Sequence, residues 1–369
     1  MRKGWEYKKL GEVCDIYQPK TISTDMLSKD GEYPVYGANG VIGYYHQYNH
    51  EDKEVLLTCR GATCGNINVS KPYSWINGNA MVIHRKSEFI DFDFLKYMML
   101  SLDYSLIITG AAQPQITRQK LAPIKIAIPP KSTQLTIVSE LNKINELIRL
   151  KKEQLKDFDN LAQSLFYEMF GDPVENEKGW EMKKLGEIGE VKTGNTPSRS
   201  NDNFYNEKFI EWIKTDNIRN EQMNPTTAAE YLSRDGAECG RIVSKGSILV
   251  ACIAGSLSSI GKCCITTKNV AFNQQINAIT PYGDFCNSIY LYELIRNSYK
   301  YIQQNATTGM KHILSKSVFE KMKFPLPPLP LQRLFAQRIE QIEREKSEVQ
   351  KSIQDLETLL ASRMQYWFE

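Results

Sequence analysis

The chain has 369 residues, 41% of them hydrophobic and 24% charged, and 46 Lys and Arg against 43 Asp and Glu leave a net charge of +3. That length exceeds one ordinary compact core and predicts two domains, while no run approaches the roughly 18 apolar residues of a membrane helix. The near balance of charge permits a nucleic-acid partner without demanding one, so any binding charge has to be local.

The basic start "MRKGWEYKKLGEV" is not followed by an apolar core, so no secretory signal is expected. Eight cysteines at irregular spacings are then expected to be reduced thiols in a cytoplasm. "GWEYKKLGEV" occupies 4–13, and "PVYGANGVIGYY" follows at 34–45. "EVLLTC" (54–59), "MVIHR" (81–85) and "IKIAI" (124–128) read as strands set off by Gly, Asn and Ser turns. "DFDFLKYMMLSL" (91–102) reads as a helix. The last strand ends at Pro129 and Pro130, which block a helix from extending backwards.

A long helix is predicted next. Ile137, Leu141, Ile144, Ile148, Leu155, Phe158, Ala162, Leu165 and Met169 recur in steps near four and three, with Lys151 interrupting.

The chain then starts again. "GWEMKKLGEI" at 179–188 repeats eight of the nine positions from Gly4 to Glu12, 175 residues on. "FIEWIKTDNI" (209–218), the strand "SILVACI" (247–253), the strand "INAIT" (276–280), the helix "SIYLYELIRNSY" (288–299) and "KFPLPP" (323–328) follow in the order of the first copy. "TGAAQPQITRQKL" (109–121) and "TTGMKHILSKSVF" (307–319) also correspond. A second seam carries Phe335, Ile339, Ile342, Val349, Ile353, Leu356, Leu360 and Trp367, broken at Lys346 and Arg363. Two amphipathic helices lying on their own domains would explain either stripe alone. Two matched stripes of about 40 residues, roughly 60 Å each at 1.5 Å per residue, favour pairing with each other. Lys151 and Lys346 fall at equivalent steps, as register-setting polar residues would.

The expected fold is therefore α+β: a globular domain at 1–130, a helix at 131–171, a second domain at 172–329 and a second helix at 330–369. The pairing residues are Ile137, Leu141, Ile144, Ile148, Leu155 and Phe158 with Phe335, Ile339, Ile342, Val349, Ile353 and Leu356.

Catalytic patterns are weak. The four histidines are scattered and no C-x-x-C occurs, so buried or idle thiols explain the cysteines better than a metal site does. "GSLSSIGKC" (255–263) has five residues between its glycines and Cys263 where Ser or Thr would reach Mg²⁺; a turn between strands is the better account. Asp172, Glu181 and Lys183 could hold Mg²⁺ for phosphodiester cleavage. The first copy repeats Glu6 and Lys8 without a preceding acid, so the E-x-K belongs to whatever both copies share. Binding is thus favoured over chemistry; the alternatives are a nuclease using those three residues, or an adaptor for protein or RNA.

The binding candidates lie in loops that mix amide, aromatic and basic side chains, each of which taken singly reads as a solvated turn. Arg and Lys suit guanine or phosphate, and Asn and Gln suit adenine. In the first copy they are Asn39, Tyr44, His46, Arg60, Asn77, Asn79, Gln113, Gln115 and Arg118. In the second they are Lys192, Thr196, Arg199, Lys214, Asn217, Arg219, Asn273, Gln274, Gln275, Lys311 and His312. Residue type and loop placement alone select them.

The W-x-x-K-x-L-G-E opening, the Y-G-A-N-G loop, the T-G segment before the proline-rich exit and the long helices, in two copies across essentially the whole chain, resemble the specificity subunit of type I restriction-modification systems. The resemblance implies two target recognition domains, each reading half of a split DNA sequence, and helices that pair antiparallel as a coiled coil. With the internal repeat it implies a pseudo-two-fold arrangement. It implies a non-catalytic subunit whose helices dock methyltransferase subunits and which a nuclease-translocase subunit joins. It places S-adenosylmethionine on the methyltransferase partner and ATP and Mg on the nuclease-translocase partner, with no cofactor in this chain.

Overall fold

A computed structural model describes residues 4–110, 113–219 and 222–369. The chain divides into two compact units, Met1–Lys152 with Lys351–Glu369, and Glu153–Gln350.

In the first unit the opening decamer forms the strand Glu6–Lys9 and a single helical turn, Leu10–Val13. The Lys9 N–H donates to the Glu12 carboxylate at 3.0 Å, and Leu10 is fully buried. The strand pairs antiparallel with Lys125–Ile128, Glu6 opposite Ile128 and Lys9 opposite Lys125. The incoming and outgoing strands of the domain therefore lie side by side.

Between them runs an antiparallel sheet in the order Cys14–Tyr17, Ala80–Arg85, Val55–Thr58, Ile67–Val69. Val55–Thr58 is buried at every position because both faces are covered. Val55 and Leu57 meet Phe94, Leu95 and Met98 of the helix Phe92–Ser101. Leu56, with Ala80 and Val82, meets Tyr36 and Ile76 of a second sheet formed by Gly40–Tyr45, Tyr33–Gly37 and Trp75–Ile76. Alternate side chains of one strand thus serve two layers, which is why the run reads as continuously apolar.

The second unit repeats this plan. Glu181–Lys184 pairs with Lys323–Leu326, and Lys184 donates to Glu187 at 2.8 Å. The main sheet runs Gly189–Thr193, Ile276–Pro281, Ile248–Ala251, Cys263–Ile265. Ile248 and Val250 face the helix Ser288–Asn297, and Leu249 faces Ile213 and Phe272 of the second sheet. In both units the second sheet holds a parallel pair, Val35 opposite Trp75 and Trp212 opposite Ala271. Much of the extra length of the second copy forms Tyr231–Leu232, the helix Arg234–Cys239 and Ile242–Val243.

The long helices are Lys131–Phe170 and Leu329–Phe368. Gln134 and Gln332, in their first turns, are fully buried. Gln134 accepts from the Asp91 N–H and donates to Phe89 O and Pro129 O at 2.8, 3.0 and 2.9 Å. Gln332 does the same with Asn287, Phe285 and Pro327 at 2.9, 3.1 and 2.7 Å. Asp91 and Asn287 cap the two core helices, so one amide ties each long helix to the start of a core helix.

Within each unit the helices pack antiparallel. In the first, Ile137 and Leu141 share a cluster with Leu360, Met364, Trp367 and Phe368, and Lys152 pairs with Glu357 at 2.8 Å. Arg363 forks onto both oxygens of Glu140. In the second, Ala162, Phe166 and Phe170 pack with Phe335, Ile339 and Ile342, with Phe170 and Phe335 centroids 5.1 Å apart. Lys346 meets Asp159 at 3.1 Å. Ile137, Leu141, Ile144, Ile148, Phe335, Ile339, Ile342, Val349 and Ile353 are buried; Leu155, Phe158 and Leu356 are half-buried. The polar breaks Lys346 and Arg363 each face an acid of the opposite helix. Lys151 is half-buried. No helix among the described residues is long and apolar enough to cross a membrane.

Candidate nucleic-acid interface

In each unit several loops meet at one end of the main sheet. In the first, the hairpin tip after Tyr33–Gly37 is pinned by Thr58 and by Asn68, both donating to Ala38 O, and Thr63 donates to Asn39 Oδ1 at 2.6 Å. Arg60 and Gln115 form a backbone bridge, and Gly61 N donates to Pro114 O at 3.0 Å. Gln18 donates to Gly78 O at 2.8 Å, and Gly78 N donates to Thr21 Oγ1 at 3.0 Å. Segments around 18–21, 38–39, 59–66, 77–79 and 113–116 are thereby joined.

The second unit joins the same segments by different contacts. Gly194 N donates to Ile276 O and Asn195 N to Phe272 O, each at 3.0 Å. A Cβ on Gly194 would lie 2.1 Å from Asn273 O, so only glycine fits that crossing. Thr196 donates to Gln274. Ile253–Ala254 pairs with His312–Ile313, as Arg60 does with Gln115, and the turn Leu257–Ser259 lies between strands.

The predicted binding residues separate into groups. Asn39, Arg60, Asn79, Gln113 and Gln115 are exposed at the sheet end of the first unit. Thr196, Gln274 and Lys311 are exposed on the corresponding segments of the second, with Gln275 and His312 half-buried. Arg118 is exposed at the start of the short helix Arg118–Leu121, and Tyr44 and His46 lie at the end of the outer strand Gly40–Tyr45 and just beyond it. Arg219 is exposed. Ala111, Ala112, Asn220 and Glu221 of the predicted loops lie outside the described residues.

Three asparagines expected from sequence to read bases, Asn77, Asn217 and Asn273, are buried, and their amides bond to the protein itself. Asn77 Oδ1 accepts from Ile22 N and from the Trp75 indole at 3.0 and 3.1 Å. Asn217 Nδ2 donates to Thr226 Oγ1 at 3.1 Å. Asn273 bonds the side chain and the N–H of Gln275, both at 3.1 Å. Lys192 is paired with Glu190 at 2.9 Å.

Arg199 and Lys214 converge on a group not foreseen from sequence. Both donate to Glu230, one to each oxygen. Burial raises the Glu230 carboxyl, but the hydrogen bonds and charges of Lys214 and Arg199 outweigh it and leave the group below its ordinary range. The signal available in sequence was "EWIK", which puts Trp212 and Lys214 two residues apart at a strand end. Glu230 had none.

Asp172, Glu181 and Lys183 form no catalytic group. Asp172 caps a turn, accepting from Val174 N and Glu175 N at 2.7 and 3.2 Å. Glu181 and Lys183 are an exposed ion pair along a strand, repeated as Glu6 with Lys8 at 2.9 Å. No set of three or more His, Cys, Asp or Glu among the described residues could hold a metal. The nuclease alternative has no support in this arrangement.

These features define a duplicated α+β protein in which divergent loops gather on two like sheets and a constant frame of strands and helices carries them. The family described as type I restriction modification DNA specificity domain matches residues 2–157 and 177–358, and the chain belongs to it. It is 32% identical over 166 residues to the HindI specificity subunit of Haemophilus influenzae, covering 44% of this chain and 35% of that one. Over that match the chain spans about a third of the relative's length. It is 20% identical over 397 residues to the MjaVIII specificity subunit of Methanocaldococcus jannaschii, covering 96% and 92% of the two. A crystal structure of a type I restriction-modification S subunit from M. genitalium shares the fold, with a TM-score of 0.61 at 13% identity, covering 99% of this chain and 96% of that one.

Proposed function

We propose that the chain is the DNA-reading, non-catalytic subunit of a type I restriction-modification complex. Each domain reads one half of an asymmetric, two-part duplex target. One observation carries this reading: equivalent loops reach equivalent sheet ends, yet present different side chains, Asn39, Arg60 and Gln115 in one unit and Thr196, Gln274 and His312 in the other. Different side chains read different bases. The paired helices act as spacer and dock methyltransferase subunits, and a nuclease-translocase subunit completes the assembly in the cytoplasm. S-adenosylmethionine belongs to the first partner and ATP and Mg to the second.

Selection of bound duplexes from random DNA, with and without a methyltransferase subunit, tests this. A motif of two unlike halves separated by a fixed unspecified gap is expected. A single contiguous motif contradicts the two-reader arrangement.

A further inference from the structure

Arg199 lies three residues past Thr196, whose hydroxyl donates to Gln274 at the sheet end of the second unit. Its guanidinium carbon sits 4.5 Å from the Tyr205 ring centroid and 4.8 Å from that of Trp212. Both rings are fixed from below. Tyr205 donates to Pro197 O at 2.6 Å, and the Trp212 indole, only 3% exposed, donates to Asn195 O at 3.3 Å. Nη2 donates to Glu230, whose other oxygen takes Lys214. Half of the Arg199 side chain nevertheless faces solvent, at 51% exposure.

A solvated arginine ordinarily samples many rotamers, and fixing one costs entropy on binding. Here two aromatic faces and a carboxylate have already selected the conformer. Glu230 engages one hydrogen of Nη2. Among the described residues Nε and Nη1 meet no acceptor, so one edge of the fork keeps two parallel N–H donors. Guanine O6 and N7 are matched by such an edge in the major groove. A phosphate is matched too, and with Lys214 on the other oxygen of Glu230 the cluster carries a net +1 charge that would accept one; the place of Arg199 on a segment that differs between the two copies favours a base edge, since phosphates carry no sequence information.

We propose that Arg199 is a specificity-determining residue that selects a guanine in the half-site of the second domain, with Glu230, Tyr205 and Trp212 as its positioning residues. This rests on the DNA-reading function proposed above.

The test is selection from random duplex DNA by the full chain with a methyltransferase subunit, comparing wild type with Arg199→Lys and Glu230→Gln. Arg199→Lys keeps the charge and loses the fork. It is expected to reduce preference for one guanine by roughly 5- to 150-fold, the range for a bidentate pair. The rest of that half-site and all of the other should persist, with an unchanged melting temperature. Glu230→Gln should relax the same position to a smaller extent. Equal loss of affinity for all sequences with the motif intact would make Arg199 a backbone contact and overturn the assignment. An unaltered motif, or a wild-type motif with no guanine in the affected half, overturns it while leaving DNA reading in place. If the wild type selects no sequence at all, the DNA-reading function fails first and the assignment falls with it.

Discussion

The N–H of Asp91 donates to Oε1 of Gln134 at 2.8 Å, across 43 residues of sequence. Asn287 and Gln332 reproduce the contact at 2.9 Å in the second unit. Each glutamine also donates to two backbone carbonyls. Truncation would strand one N–H and two carbonyls in a buried place. Gln134→Ala and Gln332→Ala should each cost about 2–4 kcal/mol in denaturant melts. A loss under half a kcal/mol would show that the amide is dispensable at that position.

A second expectation concerns charge and pH. Glu293 is 1% exposed, and burial raises its carboxyl while Arg296 draws it down without restoring the ordinary value. Because the folded pKa lies above the unfolded one, stability tied to this group is present in acid and is lost as pH rises through the folded pKa. Arg296→Ala removes the counter-charge and raises that pKa further. The variant should lose roughly 3 kcal/mol at pH 7, as for breaking a buried pair, and less at pH 5. Urea melts at the two pH values provide the comparison, and a deficit that grows toward acid would contradict it.

Gly194→Ala forces a methyl group onto Asn273 O and Phe272 O, at 2.1 and 2.4 Å. Overpacking of this kind costs about 1–3 kcal/mol. The loop that carries Thr196 should move, so selection from random DNA should return a degraded half-site for the second domain. The other half-site should be retained. Retention of both halves would separate the crossing from recognition.

Inserting seven residues into each long helix, between Lys152 and Glu153 and between Gln350 and Lys351, preserves the seam and adds about 10 Å. The gap between half-sites should widen by about three base pairs at 3.4 Å each. Both half-site sequences should stay as they were. Altered half-sites, in the same selection assay, would remove the spacer role.

Sequence revealed the constant parts well. The decamer repeats because it builds the incoming strand and its buried leucine, Leu10 or Leu185, twice over. The stripes from Ile137 and from Phe335 were legible because each unit buries one face of the helix segments it holds. The divergent loops were legible only as loops. Asn77, Asn217 and Asn273 look like Asn79 in sequence, yet their amides close turns inside the fold while Asn79 is exposed, and only tertiary contacts tell them apart. Glu230 stands 31 residues from Arg199 and 16 from Lys214, so no local pattern joins them. Gln134 and Gln332 read as ordinary helix-forming residues, because two of the three backbone partners of each lie 43 to 47 residues away.

The side-by-side strands Glu6–Lys9 and Lys125–Ile128 have a consequence for how such a chain can change. Everything between Lys9 and Lys125 leaves and returns at neighbouring points, and the same holds between Lys184 and Lys323. A stretch exchanged by recombination at those borders arrives with both ends already aligned to the ladder that receives it. Such an exchange leaves the border ladders and the long helices as they are.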